Sequence, residues 1–250
     1  MRRILFICCV LILFGTTAHA QKNKPWTEWS QKEAEKVLND SAWGQTQTEG
    51  GGGGSEQPSQ TSAISSTTAA KERNATNVKA AATSAESGET KATAPSLHLR
   101  VRFMSAKPIR AAFVRMLELQ GTPAEKVAQV KPFIDYDFSN YVVVTVNMDG
   151  NDRGRMGAII QELAKTDSAA LKTVTYLERK DGKRLELMEY RAPVNDGLGA
   201  KFVFARNLNG TPFLDANSGE VRFVTELGKL LKINRRFKVS EMMYDGKLEY

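Results

Sequence analysis

The segment Leu97-His98-Leu99-Arg100-Val101-Arg102-Phe103 alternates apolar and polar residues without a break, which predicts a strand with one buried face. In that phase Leu99, Val101 and Phe103 point into a core, and Arg100 and Arg102 point to solvent. Ser105 then reads as a helix cap, with Pro108 in the first turn, where its missing N–H is harmless. Ile109, Ala112, Phe113, Met116 and Leu117 follow at helical spacing as far as Gly121, and a shorter helix is expected after Pro123. Residues 141–148 form a β-branched strand ended by Asp149-Gly150. Residues 156–164 read as helix, with Ile159, Ile160 and Leu163 on one side.

The pattern then turns to β. Strands are expected over residues 172–179 and 183–191, joined by Asp181-Gly182, a strong hairpin signal. Residues 201–206, 220–227 and 235–239 are further short strands, and Asp245-Gly246 marks a second tight turn. Consecutive hairpins argue for antiparallel pairing. The expected fold is α+β: an antiparallel β-sheet or sandwich with two or three helices, forming one globular domain over residues 97–250.

The remainder divides by composition. Arg2 and Arg3 precede an apolar run over residues 4–14, and Ala18 and Ala20 frame a cut before Gln21, so residues 1–20 read as a signal peptide. The run is short of the ~20 residues that span a bilayer, so no transmembrane anchor is expected after processing. Both cysteines, Cys8 and Cys9, lie inside that run, which leaves the mature chain no disulfide and no thiolate. Residues 47–96 are low complexity: five consecutive glycines at 50–54, then Ser, Thr, Ala and Gln, with Ile64 and Val78 as larger aliphatics. Such a stretch cannot bury enough apolar area to order itself, and a disordered linker is expected.

Residues 21–46 are a tryptophan-rich helical head. Trp26, Trp29 and Trp43 are the three tryptophans of the protein. Ser30 and Glu33 have capping-box spacing, so a helix is expected from Ser30 to about Leu38, with Ala34, Val37 and Leu38 as its apolar stripe. Trp26, Trp29, Val37, Leu38 and Trp43 are the candidate docking residues. They pack on the protein's own body, or they capture a partner.

Charge and chemistry narrow the function classes. The chain has 35 basic and 28 acidic residues, and removing Arg2 and Arg3 leaves a net charge of +5. That modest excess fits an envelope protein or an anionic polymer as partner, and no basic run with interleaved aromatics points to nucleic acid. His98 is the one histidine left after processing, which excludes zinc sites and Ser-His-Asp or Cys-His arrangements within one chain. No catalytic residue, metal site or cofactor is implied. Asp135 and Asp137 would share a face if extended, as an acid/base or calcium pair requires, but two acids at that spacing occur often by chance and a polar turn is the expected reading. Residues 149–157 follow a strand and precede a helix, but they lack the Lys-Ser/Thr of a phosphate loop and read as a polar loop.

Three stretches, KPWTEWSQKEAEKVLNDSAWGQTQ, TYLERKDGKRLELMEYRAPVNDGLGAKFVF and INRRFKVSEMMYDGKLEY, resemble a group of uncharacterised exported bacterial proteins. That group carries a Trp-x-x-Trp-Ser/Thr … Glu-Ala … Leu-Asn-Asp-Ser-x-Trp segment after the signal, and some members are labelled GWxTD-domain-containing. The Gly-Trp-x-Thr-Asp string itself does not occur in this chain. The resemblance implies export and brings no activity, ligand or catalytic residue with it. The expectation is therefore an exported, non-enzymatic envelope binding or assembly protein, periplasmic or secreted. A carboxylate-dependent hydrolase of a sugar polymer and a secreted structural protein are the alternatives.

Overall fold

The computed structural model describes residues 24–50 and 94–250. The expected signal peptide and most of the low-complexity stretch lie outside the described residues. The chain enters through a 3-10 turn at Trp26–Glu28, helix α1 (Gln31–Asn39) and strand β1 (Gly44–Gly50). After the low-complexity stretch come β2 (Ser96–Phe103), α2 (Lys107–Leu119), α3 (Ala124–Val130), β3 (Tyr141–Gly150), α4 (Arg153–Lys165) and the single turn α5 (Ser168–Leu171). Next are β4 (Tyr176–Arg179), β5 (Arg184–Glu186), β6 (Glu189–Arg191), β7 (Ala200–Ala205), β8 (Asn207–Leu208) and β9 (Thr211–Pro212). The last strands are β10 (Glu220–Leu227), β11 (Leu231–Lys238), β12 (Met243–Tyr244) and β13 (Lys247–Leu248).

Two antiparallel sheets carry the core, so the fold is α+β. The first has the order β1-β2-β3-β7-β6 and the second β11-β10-β4-β5. Leu99, Val101 and Phe103 of β2 and Val142, Val144 and Val146 of β3 share one buried cluster with Leu177, Val221, Phe223, Ile233 and Phe237 of the second sheet. Phe103 meets Phe237 edge-on at 4.9 Å and Phe202 meets Phe223 at 5.4 Å, so the sheets pack face to face. The outer face of the first sheet carries a second core, in which α1 and α2 bury Ala34, Leu38, Ile109, Ala112 and Met116.

Several expectations change. The head and the globular body are one structure. β1 pairs with β2 from Gly44↔Arg102 to Gly50↔Ser96, so residues 47–50 are strand rather than linker. Composition hid this because β1 (GQTQTEG) has no apolar residue and is held by main-chain bonds. Its glutamines also cap the neighbouring edge: Gln45 donates to the Arg236 carbonyl and Gln47 to that of Lys232. The low-complexity stretch thus leaves and rejoins the sheet at paired positions.

Ser105 is not the cap of α2. Its hydroxyl accepts the Val143 N–H at 3.0 Å, and Ala106 takes the cap position without a side-chain bond. The strand expected over 183–191 is two strands in different sheets. Leu187 donates to Thr175 in the second sheet and Met188 donates to Val203 in the first, so the chain crosses between them. The apolar phase shows the break, running Leu185, Leu187 and then Tyr190. Of the stretch 172–179, only residues 176–179 are strand. α4 starts three residues earlier than expected, because Asp152 accepts the Arg155 N–H as its cap. The Asp181-Gly182 and Asp245-Gly246 turns form as expected, with Gly182, Asp245 and Gly246 at positive φ.

Candidate functional site

The head residues are built into the body. Ser30 and Glu33 form the capping box, with Glu33 Oε2 accepting the Ser30 N–H at 2.7 Å. That backbone bond, together with the Ser30 hydroxyl and Lys24, holds the Glu33 carboxyl down at about 2. Trp29 is 8% exposed, its indole N–H bonded to the Lys24 carbonyl and its own carbonyl accepting from Arg115. Leu38 is buried and Val37 half-buried against α2. Trp43 packs against both cores, donates its indole N–H to the Glu249 carbonyl at 2.8 Å and meets Tyr244 edge-on. Trp26 is half-buried, with Lys131 Nζ 5.9 Å from its ring centre. Trp29, Leu38 and Trp43 therefore offer a partner little free surface.

The expected solvent phase of β2 fails at one position. Arg102 is 4% exposed because α1 lies over it, and it donates to the Leu38 carbonyl and to Asn39 Oδ1. Burial, with repulsion from Arg100, lowers its pKa to about 10. His98 stays on the polar phase, its ring 3.0 Å from the Thr48 hydroxyl. Asp135 and Asp137 are not a pair: Asp135 bonds Lys107, and Asp137 accepts from the N–H and hydroxyl of Ser139. Asp149 extends β3 and pairs with Arg100 rather than lining a phosphate loop.

An open groove lies elsewhere on the outer face of the first sheet, beyond the part that α1 and α2 cover. Its volume is about 380 Å³. Val143 of β3, Lys201 and Val203 of β7 and Glu189 and Arg191 of β6 are side chains of that face. Phe133, Tyr136 and Phe138 form one wall and Leu198 and Met188 line the rest. Tyr136, Tyr141 and Met188 are 61%, 45% and 49% exposed, a concentration of large apolar side chains in one place.

Buried Arg110 sets the aromatic wall. Its guanidinium donates to the carbonyls of Met104, Ser105, Ile134 and Tyr136 and lies 4.8 Å from the Phe138 ring centre. Burial lowers its pKa to about 10. The groove cations are paired, Lys201 with Asp196 at 2.7 Å and Arg191 with Glu189 at 2.7 Å. The hydrogen bond from Arg191 keeps the Glu189 carboxyl below its ordinary range.

Pattern reading passed over this groove because its walls come from four separated segments. The one local signal was the aromatic trio Phe133, Tyr136 and Phe138, which surrounds the aspartates that drew attention instead. Among the described residues, no group of three His, Cys, Asp or Glu could hold a metal ion, and no helix is long and apolar enough to cross a membrane. Comparisons with known protein families, curated proteins and solved structures give no match.

Proposed function

We propose that this is an exported, non-enzymatic binding protein of the bacterial envelope, processed before Gln21, whose binding surface is the groove on the outer face of the five-stranded sheet. Membership of the exported family named above is part of the same proposal. The observation that carries it is the joint exposure of Tyr136, Tyr141 and Met188 around a preformed cavity of about 380 Å³. That volume lies in the range of ligand-binding clefts, roughly 300–1,000 Å³. Arg110 pre-orders the aromatic wall, which lowers the ordering cost of binding. The groove fits an apolar or aromatic segment of a partner, with Arg191, Lys201 and Glu189 as polar contacts.

Among the described residues, the carboxylates with a shifted pKa, Glu33, Glu118, Glu178, Asp181 and Glu189, all lie below their ordinary range. A general acid needs the opposite shift.

Tyr136→Ser/Met188→Ser alters two exposed side chains, so stability should stay within about 1 kcal/mol of wild type. Pull-down from envelope extract with the mature protein should then lose a partner that wild type retains. An identical set of retained proteins with and without the substitutions would overturn the groove reading. Intact mass of the exported protein should place its first residue at Gln21, and a start at Met1 would overturn export.

A further inference from the structure

The outer face of the second sheet presents an arrangement that folding alone disfavours. Arg222 of β10 stands directly opposite Arg236 of β11, and Glu178 of β4 stands opposite Arg222 on its other side. Arg184 of β5 completes the row, opposite Glu178. The row thus holds three guanidinium groups and one carboxylate across four strands. Glu178 Oε2 accepts from Arg222 at 2.8 Å and from Arg184 at 3.0 Å, and Arg236 makes no ion pair among the described residues. Like charges directly opposite on a sheet repel. Lys232 and Lys238 lie on the same face of β11 but are paired with Glu226 and Glu241, so the unbalanced charge is confined to the arginine row. Neighbouring cations in the row are one or two strand spacings apart, ~5 and ~10 Å.

We propose that this face binds a linear anionic polysaccharide, whose charged groups neutralise the Arg236–Arg222–Arg184 row. Charge complementarity selects the class. An acidic chain laid across the strands supplies the counter-charge that the fold withholds from Arg236. A membrane surface fits less well, because the one aliphatic side chain in the middle of the face, Val224, is buried by its neighbours and offers no anchor. Single-stranded nucleic acid fits less well too, because Arg184 lies 4.2 Å from the ring centre of Tyr176 and removes the face's aromatic stacking surface. This surface is separate from the groove of the first sheet, and neither proposal depends on the other.

The test measures retention of the mature protein on immobilised dextran sulfate, with neutral dextran, a single-stranded oligonucleotide and anionic phospholipid vesicles as parallel arms. Wild type should bind dextran sulfate in a salt-sensitive way and ignore neutral dextran. Arg222→Gln/Arg236→Gln should lose at least about tenfold in affinity. Lys32→Gln/Lys36→Gln, which removes the same charge from the exposed face of α1, should lose less than about threefold, because attraction is local at physiological screening lengths. Arg236→Gln alone should melt no lower than wild type, since it removes a repulsion, whereas a structural role for Arg236 would lower its Tm. The groove variant Tyr136→Ser/Met188→Ser should bind dextran sulfate normally. Equal losses in the two charge-matched variants would overturn the proposal, as would tighter binding to the vesicles or the oligonucleotide than to dextran sulfate.

Discussion

Arg100 and Arg102 stand two residues apart on the same face of one strand, yet the fold treats them differently. Arg100 pairs with Asp149 at the surface, and such a pair is worth about 0–1 kcal/mol. Arg102 lies under α1, where its guanidinium satisfies the Leu38 carbonyl and the Asn39 amide oxygen. Arg102→Ala leaves buried acceptors without donors and should destabilise by about 2–3 kcal/mol, against less than about 1 kcal/mol for Arg100→Ala, as read from chemical denaturation. Equal effects would place α1 off the sheet. Alternation marked both arginines as polar, and nothing within the strand could show that a helix from more than sixty residues upstream covers one of them. Glu33 gives a pH signature at the same scale. Its carboxyl ionises at about 2 in the folded protein against an ordinary 4.5. A depressed acid adds stability that is full above the unfolded value and is lost as pH falls through the folded one. Stability should therefore decline between about pH 4.5 and 2, and Glu33→Gln should flatten that part of the pH–Tm profile.

Among the elements, those with a strong apolar period were legible in sequence. β2, α2, β3 and the hairpin turn at Asp181-Gly182 lie where alternation, helical spacing and turn residues put them. β1 was not legible, since a strand made of Gln, Thr and Gly shows no apolar phase and takes its register from β2. The split between β5 and β6 had a signal in the slip from Leu187 to Tyr190, which only the two-sheet arrangement explains. β1 and β2 pair antiparallel up to Gly50↔Ser96, two positions that forty-five residues of sequence separate. Joining Gly50 to Ser96 through a four-residue turn should raise stability by about 2 kcal/mol through reduced loop-closure entropy, measured by denaturant melts. A large loss instead would mean that the two strands need the intervening chain to pair.

For the molecule as a whole, the fold class followed from the count of hairpins, while the groove did not. The groove exists only after strands β3, β7 and β6 and the segment around Phe133–Tyr136–Phe138 come together, and no local spacing encodes that meeting. The tryptophan-rich head changes meaning at this scale. It contributes an edge strand and a covering helix, so it belongs to the core instead of hanging from a tether. One measurement tests this most directly, because Trp26, Trp29 and Trp43 are the protein's three tryptophans and all report on the head. A protease recognition sequence is inserted between residues 51 and 93, the mature protein is cut there, and the product is diluted and followed by gel filtration with indole emission. The two fragments should co-elute with emission still blue-shifted, since the seven paired positions of β1 and β2, buried Trp29 and Leu38, and the Arg102 bonds hold them together. Separation of the fragments with a shift to the red would show that the head is a dispensable appendage.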